Sequence, residues 1–444
     1  MEHKPNIEDA AWIVRKLTEA GHTAYLVGGC VRDMARGEEP EDFDVASSAT
    51  PDEVMKLFRR AIPVGVNFGV VLVLVKGVPY EVATFRTDMG YSDGRRPDAV
   101  KFGGPKEDVM RRDFTINGMF YDPLEDRVID YVEGRKDVEK RLIRTIGDPE
   151  DRFAEDRLRL LRAVRFAAKL GFDVEPQTGA AVSGHAADIA MVSAERVREE
   201  LTKILTGPRP RKGIELAAQF GLLGHILPEV VAMKGVEQPE QFHPEGDVWT
   251  HTMLTLDQAP ADPGVELAMA ALLHDVGKPP TFKQADRIRF NEHAEVGAKI
   301  ADKIMRRLRY SKKQQDLVVE LVRQHQKFME VQNMRRSTLK RFLRAERFDL
   351  HLELHRMDCG ASHGKLDNYE FCRAKLEQFE TEESEALHPP RLITGKDLIG
   401  MGLEPGPEFG RILKELEDAQ LDGRIKTQEE AVELVRQIIK SESE

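Results

Sequence analysis

Several things are scarce in this 444-residue chain. Cysteine is one: Cys30, Cys359 and Cys372 are too few and too scattered for a disulfide framework. Their use fits a reducing, cytoplasmic compartment. Long apolar runs are missing too. None reaches the roughly 18–20 residues of a membrane helix, and the opening MEHKPNIEDA lacks the basic-then-apolar order of a secretory signal. No membrane association is expected. There is no surplus of positive charge, since 66 Lys+Arg against 77 Asp+Glu leave −11. That argues against indiscriminate coating of nucleic acid, which is largely a cation effect, and no DNA partner is expected. Low-complexity tracts and internal repeats are absent. With 41% hydrophobic and 32% charged residues, the chain can bury cores, and its length suits two to four domains.

Two kinds of pattern share the chain. Up to about residue 150, helical and strand periods alternate. IEDAAWIVRKLTEA (7–20) has helical spacing, AYLVGG is a strand ending in two glycines, and VVLVLV (70–75) and EVATF (81–85) are strands. RTDMGYSDGRRPD (86–98) is predicted to be a mobile loop. Beyond 150 the apolar spacing is helical almost throughout, and AEDRLRLLRAVRFAAKL is expected to form one continuous helix. The fold class is therefore α+β: a head with a small mixed or antiparallel sheet and helices, then an elongated all-α neck, body and tail. The expected divisions are 1–150 head, 151–225 neck, 226–385 body and 386–444 tail.

In the head, GGCVRD (28–33) follows a strand and opens a helix. Gly28 and Gly29 let the backbone approach a ligand, and helix-opening amides attract phosphate. Arg32, beside Asp33, can reach an anion, although a tight structural turn also uses such glycines. In DFDVASSATPDEV, Asp42 and Asp44 are two residues apart, so strand alternation gives them one face. Paired carboxylates suit Mg²⁺ together with substrate phosphates, and two ions can clamp an in-line displacement. Glu81 is a third candidate carboxylate, or a charged edge residue. RRDFTINGMFYD adds Arg111 and Arg112 as phosphate forks, Asp113 as an acceptor for a sugar hydroxyl, and Asn117 as an amide.

GGxVRD, DxD, RRDFTIN and a following EDxxR stand in the order and spacing of the class II tRNA nucleotidyltransferases, the CCA-adding enzymes, whose relatives include bacterial poly(A) polymerases. The head resembles this family over roughly 20–205 and the rest more loosely, through a tail that reads RLITGKDLIGMGLEPGPEFGRIL. The resemblance implies attack of a tRNA 3′-hydroxyl on the α-phosphate of CTP or ATP with release of pyrophosphate. By the same resemblance, Asp42 and Asp44 hold Mg²⁺, Gly29 and Arg32 hold the triphosphate, and Arg112 and Asp113 contact phosphate or ribose. Gly28, Asp33 and Asn117 are nucleotide-binding candidates beside them, and Glu81, read from its strand, is the third catalytic candidate. The 86–98 segment is similar to the loop that helps switch from C to A addition.

In the neck, Glu155, Asp156, Arg159, Arg162 and, loosely, Arg165 recur every three or four residues and share a face. Surface ion pairs would use the same spacing. Cytosine and adenine each place an amino donor beside a ring-nitrogen acceptor. A carboxylate and an arginine complement that edge, whereas uracil and guanine present the reverse and leave a polar group unpaired. The family assigns this reading of the base to EDxxR, here Asp156 and Arg159, with Glu155, Arg162 and Arg165 beside them.

The body carries ELAMAALLHDVGKP, with His251 upstream and His293 downstream of His274 and Asp275. This resembles the HD superfamily of metal-dependent phosphohydrolases and implies a second site for a divalent metal at His251, His274, Asp275 and His293. The superfamily's last Asp is expected near the end of VVELVRQHQ, where His325 stands instead, with Asp316 more than two turns earlier. The alternative is a structural, RNA-binding body. MRRLRYSKK (305–313) and MRRSTLKRFLRAER (334–347) are candidates for phosphate contacts, with tRNA read by shape across acceptor stem and elbow. Addition of A alone, poly(A) synthesis and HD-type hydrolysis stay open as alternatives, as do monomer and homodimer.

Overall fold

The computed structural model describes residues 4–65, 69–89, 99–241, 243–382 and 389–443. It divides into two compact units. One is Met1–Val231 with Arg307–Arg309; the other is Ala232–Arg306 with Tyr310–Glu444.

The first unit is built on a seven-stranded sheet. Its strands are β1 (Ala24–Val27), β2 (Asp44–Ser47), β3 (Ala61–Gly65), β4 (Val70–Val75), β5 (Val78–Thr84), β8 (Met119–Asp122) and β9 (Arg127–Asp130). A separate ribbon pairs β6 (Arg86–Met89) with β7 (Ala99–Phe102). The sheet order is β3-β4-β5-β2-β1-β8-β9. Every pairing in it is antiparallel except β2 with β5, so the sheet is mixed, as expected. Leu26, Val45, Val71, Val82 and Phe120 are buried at 1% exposure or less. The helix Ile7–Glu19 begins at Asn6, whose side chain accepts the amide of Asp9, and it buries Ile13, Val14 and Leu17.

Two local expectations need correction. Residues 86–89 are not loop. They form β6 in register with β7 from Arg86↔Phe102 to Met89↔Ala99, because ladder hydrogen bonds satisfy a backbone whose side chains are polar. The rest of that predicted loop, 90–98, lies outside the described residues. The 154–170 segment is also two helices, Pro149–Glu155 and Leu158–Leu170. Asp156 makes the break: it is extended (φ −142°, ψ 103°), and its carboxylate accepts the amide of Leu158 at 3.1 Å. An aspartate that satisfies a helix-opening amide favours a new start over continuation.

The second unit is helical. Helices Val248–Asp257, Gly264–Leu273, Lys312–Gln324 and Phe348–Ala361 pack around buried Leu272, Leu273, Val322 and Met357. A short ribbon, Phe282–Gln284 with Ile288–Phe290, rises beside them. Ile393, Leu398, Ile412, Leu416, Val435 and Ile438 belong to a separate apolar cluster near the C-terminus. No helix among the described residues is long and apolar enough to cross a membrane.

Candidate active site and metal centre

Sheet register places the head's motif residues. β1 ends at Val27, which pairs with Asp44, and Val45 pairs with Val82 on the parallel neighbour. One step back along that ladder, Asp44 and Glu81 are adjacent, and both are exposed while Val45 and Val82 are buried. Asp42 is exposed on the same alternation, with buried Phe43 between. Asp44 is open at the sheet end yet ringed by protein. Loss of hydration, followed by the like charges of Glu81 and Asp42, lifts its carboxyl to about 6 against the pull of Arg112. Crowded oxygen donors of this kind suit a hard divalent cation. Their ligand atoms are not among the described clusters that come within 4.8 Å of one another.

The glycine turn follows β1 directly. Gly28 has φ +79°, a conformation that favours glycine, and a Cβ there would stand 3.8 Å from the Arg112 guanidinium. Arg112 is held by Asp108, which is 1% exposed and also pairs with Arg111, each arginine at 2.7–2.8 Å. Burial alone would raise the Asp108 carboxyl, but the two guanidinium groups hold it below its ordinary value.

The remaining motif residues form one hydrogen-bonded chain. Buried Arg32 donates to Asp33 and, at 2.8 Å, to Asn117. The Asn117 amide approaches Asp113 Oδ1 at 3.4 Å, and Asp113 Oδ2 accepts both donors of Arg162. Asp113 also accepts the Phe114 amide, so both of its oxygens are engaged within the protein. Arg162 thereby ties the Leu158–Leu170 helix to RRDFTIN. Burial would raise Asp113, and Arg162 overrides it to hold the carboxyl low.

Asp156 and Arg159 are not paired with each other. Arg159 donates to Glu155 at 2.6 Å and to the carbonyls of Arg152 and Arg111. Asp156 pairs with Arg196 at 2.9 Å. Arg165 pairs with Glu200 and lies over the Phe166 ring. Sequence reasoning missed Arg196 and Glu200, which act from separate stretches, and Asp108, whose spacing of three and four residues before Arg111 and Arg112 was the available signal.

The two basic stretches do not stand free as expected. Arg341 and Arg344 pair with Asp418 and Glu417; Arg307 pairs with Glu229 and Lys312 with Asp316. Asp316 is one helical turn from Lys312, while Glu229, Glu417 and Asp418 are distant in sequence, so part of the local positive charge is met by acids.

In the second unit, His251, His274, Asp275 and His293 converge as expected, and His325 joins them. The last carboxylate is not Asp316, which is exposed and paired with Lys312. It is Asp358, on the helix Phe348–Ala361, at 3.0 Å from His251 Nε2. Its sequence signal was a lone acid between buried Met357 and Cys359. Burial alone would lower His251, but hydrogen bonds to Asp358 and Glu245 outweigh it and lift the imidazole to about 9. Burial would raise Asp358, and His251 holds it well below the carboxylate range. Burial pushes His325 down to about 3. A cavity of about 1040 Å³, lined by Asp275, Lys278, His293, His325 and Asp358, gives access.

Comparisons with known proteins agree with this geometry. Residues 24–144 match the poly A polymerase head domain. The head of the chain is thus similar to the nucleotidyltransferase head of that family. Residues 171–233 match a probable RNA and SrmB-binding site of polymerase A, and 249–354 match an HD domain, which stops just short of Asp358. A CCA-adding enzyme of Levilactobacillus brevis is 44% identical over 224 residues, 50% of this chain and 56% of the relative. One from Geobacillus thermodenitrificans is 45% identical over 224 residues, 50% and 55% of the two chains. The matched stretch thus spans about half the length of these curated relatives. The crystal structure of a Bacillus stearothermophilus CCA-adding enzyme in complex with CTP superposes with a TM-score of 0.76 at 26% identity, covering 99% of this chain and 100% of that one.

Proposed function

We propose that the protein is a template-independent tRNA nucleotidyltransferase that builds or repairs the 3′-terminal CCA from CTP and ATP. The carrying observation is the register that sets Asp42, Asp44 and Glu81 beside the Gly28 turn and Arg112, with Arg162 tying the neck helix to the same network. The working division is head 1–150, neck 151–225, body 226–385 and tail 386–444.

Asp42, Asp44 and Glu81 would hold Mg²⁺, which supplies charge neutralisation and alignment for in-line phosphoryl transfer. Gly28 and Gly29 leave the main chain open to the triphosphate, and Arg112, steadied by Asp108, faces the same turn. Arg32, Asp33, Asn117 and Asp113 keep that wall rigid, so the nucleotide's phosphate and ribose meet preset donors and acceptors. Asp156 and Arg159 read the amino group and ring nitrogen of cytosine or adenine. Arg196 and Glu155 hold them in place, so a mismatched uracil or guanine leaves a polar group unpaired. The tRNA is recognised by shape along acceptor stem and elbow. Purified Asp42→Ala should lose nucleotide addition while keeping tRNA binding. Addition at the wild-type rate would remove the metal assignment.

A second reading is favoured by the histidine cluster: the body binds a divalent metal through His251, His274, Asp275 and Asp358, as HD domains do. The imidazole and carboxylate donors fit such an ion, whose chemistry when bound is activation of water for phosphoester hydrolysis. Assay of 2′,3′-cyclic phosphodiesterase activity tests it. No activity in metal-loaded protein would leave the body a structural, RNA-binding element.

A further inference from the structure

The helix Pro105–Met110 runs into two arginines that one carboxylate divides between its oxygens. Asp108 Oδ1 accepts Arg111 and Oδ2 accepts Arg112. Arg112 stands beside the Gly28 turn. Arg111 instead lines a cavity of about 340 Å³ with Thr87, Lys106, Arg152 and Glu155, in which Gly28 and Arg112 take no part. That volume is at the lower end of the about 300–1,000 Å³ usual for ligand sites. The acids of the cavity are already engaged. Glu155 gives one oxygen to Arg152 and the other to Arg159, and Glu107 accepts the Gly104 amide at 3.2 Å. Donors are left over. Arg152 Nε is buried and has no hydrogen-bond partner among the described residues. The Lys106 side chain is exposed and makes no ion pair or hydrogen bond with a described residue. A buried donor without an acceptor is destabilising until an acceptor reaches it.

We propose that this cavity takes a phosphodiester of the RNA strand being extended, near its 3′ end, with Lys106 and Arg152 holding the phosphate oxygens. The inference rests on the nucleotidyl-transfer reading and adds where the acceptor strand lies. An oxyanion suits the site because it only accepts, whereas Lys106 and Arg152 only donate, and the Thr87 hydroxyl on the cavity wall can add a third donor. The strand is favoured over the incoming nucleotide by the division at Asp108. The reaction brings two phosphate-bearing molecules to one α-phosphate. The nucleotide's polyphosphate has the Gly28 turn and Arg112. The cavity lies with Arg111 and reaches Glu155, the neighbour of the proposed base reader Asp156. A phosphate held there is beside the nucleotide and not within its place. Arg152 is set before RNA arrives. Its guanidinium is tied to the Met110 carbonyl at 2.9 Å and to Glu155 at 3.0 Å, and its side chain is 18% exposed. Little side-chain freedom is therefore lost on binding.

Steady-state kinetics on the full-length chain test this, with a tRNA ending after CC and labelled ATP. Lys106 is exposed, so Lys106→Ala and Lys106→Glu should fold as the wild type does, with circular dichroism as the check. Lys106→Ala should raise KM for the tRNA about 3–10-fold and flatten its log–log salt dependence by about one, while KM for ATP changes by less than about twofold. Lys106→Glu should raise the tRNA KM further. Single uncharged methylphosphonates at the linkages nearest the 3′ end locate the contact. At one linkage the replacement should weaken the wild type and cost Lys106→Ala nothing more. An unchanged tRNA KM in Lys106→Ala, or additive losses at every linkage tried, would overturn the site and leave the transferase reading standing. A higher KM for ATP and weaker inhibition by pyrophosphate, with the tRNA unaffected, would give the cavity to the nucleotide's polyphosphate and also overturn it. A wild type that incorporates nothing would overturn the transferase reading, and this site with it.

Discussion

Replacing Arg162 with alanine should expose how strongly the neck depends on the head. The guanidinium gives both of its bonds to Asp113 Oδ2. Asp113 is 8% exposed, so removing Arg162 strands a carboxylate in the interior. Breaking a buried pair costs about 3–5 kcal/mol. The lower end applies here, because the Arg162 side chain is 32% exposed and Asp113 keeps the Phe114 and Asn117 donors. For a unit of this size, about 3 kcal/mol corresponds to a fall of roughly 6–12 °C in Tm. Differential scanning calorimetry with urea titration reads it. In the wild type, Asp113 sits below its ordinary 3.8. Its contribution is therefore present above that value and lost as pH falls through the folded value. In the variant, burial is opposed only by Arg159 and the Phe114 amide and the carboxyl rises, so the charged form is penalised at neutral pH and relieved by acid. The gap between the two proteins should be widest at pH 7–8 and narrow toward pH 4. Adding Asp113→Asn should recover part of the loss. A loss under about 1 kcal/mol, or a gap that widens with acid, would refute the reasoning.

Other outcomes follow from the same structure. Asp156→Ala should reduce CTP-over-UTP discrimination by about 10–100-fold more than it slows addition of the correct nucleotide; unchanged discrimination in steady-state kinetics would remove the base-reading role. Gly277→Ala would put a Cβ 2.0 Å from the His293 carbonyl and 2.5 Å from the Gly297 amide. It should unfold the body or cost upward of about 3 kcal/mol, whereas Gly400→Ala, with open space around it, should be stable in the same thermal melt. Arg341→Ala and Arg344→Ala should change tRNA affinity less than about threefold by filter binding, because both side chains are committed to Glu417 and Asp418.

What the sequence made legible was local. Two glycines after an apolar strand, an Asp-x-Asp and an Arg-Arg-Asp are contiguous, and the sheet register brings them together as alternation implies. The helix break at Asp156 was hidden because the apolar period runs on through it, while a side-chain cap overrides period. Arg196 and Glu200 were hidden for another reason. Each holds a motif residue from a separate stretch, and spacing along the chain carries no record of a partner 40 or 35 residues away. Asp108 was within reach of the sequence, because it stands three and four residues before Arg111 and Arg112, a helical pairing distance. Asp358 was sought on the helix ending at Gln324 and comes from the next long one. Which acid meets His251 is fixed by where Phe348–Ala361 packs, and that is a tertiary fact. In the basic stretches local charge was visible, while the acids that pair with Arg307, Arg341 and Arg344 were not.

Nucleotide incorporation tests the central claim most directly. One preparation of the purified chain is given three tRNAs, ending before C, after C and after CC, with labelled CTP and ATP counted separately. The account predicts two cytidines and then one adenosine on the first, one of each on the second, and a single adenosine on the third. Absence of incorporation on all three, or unlimited adenosine addition to any RNA end, would contradict it.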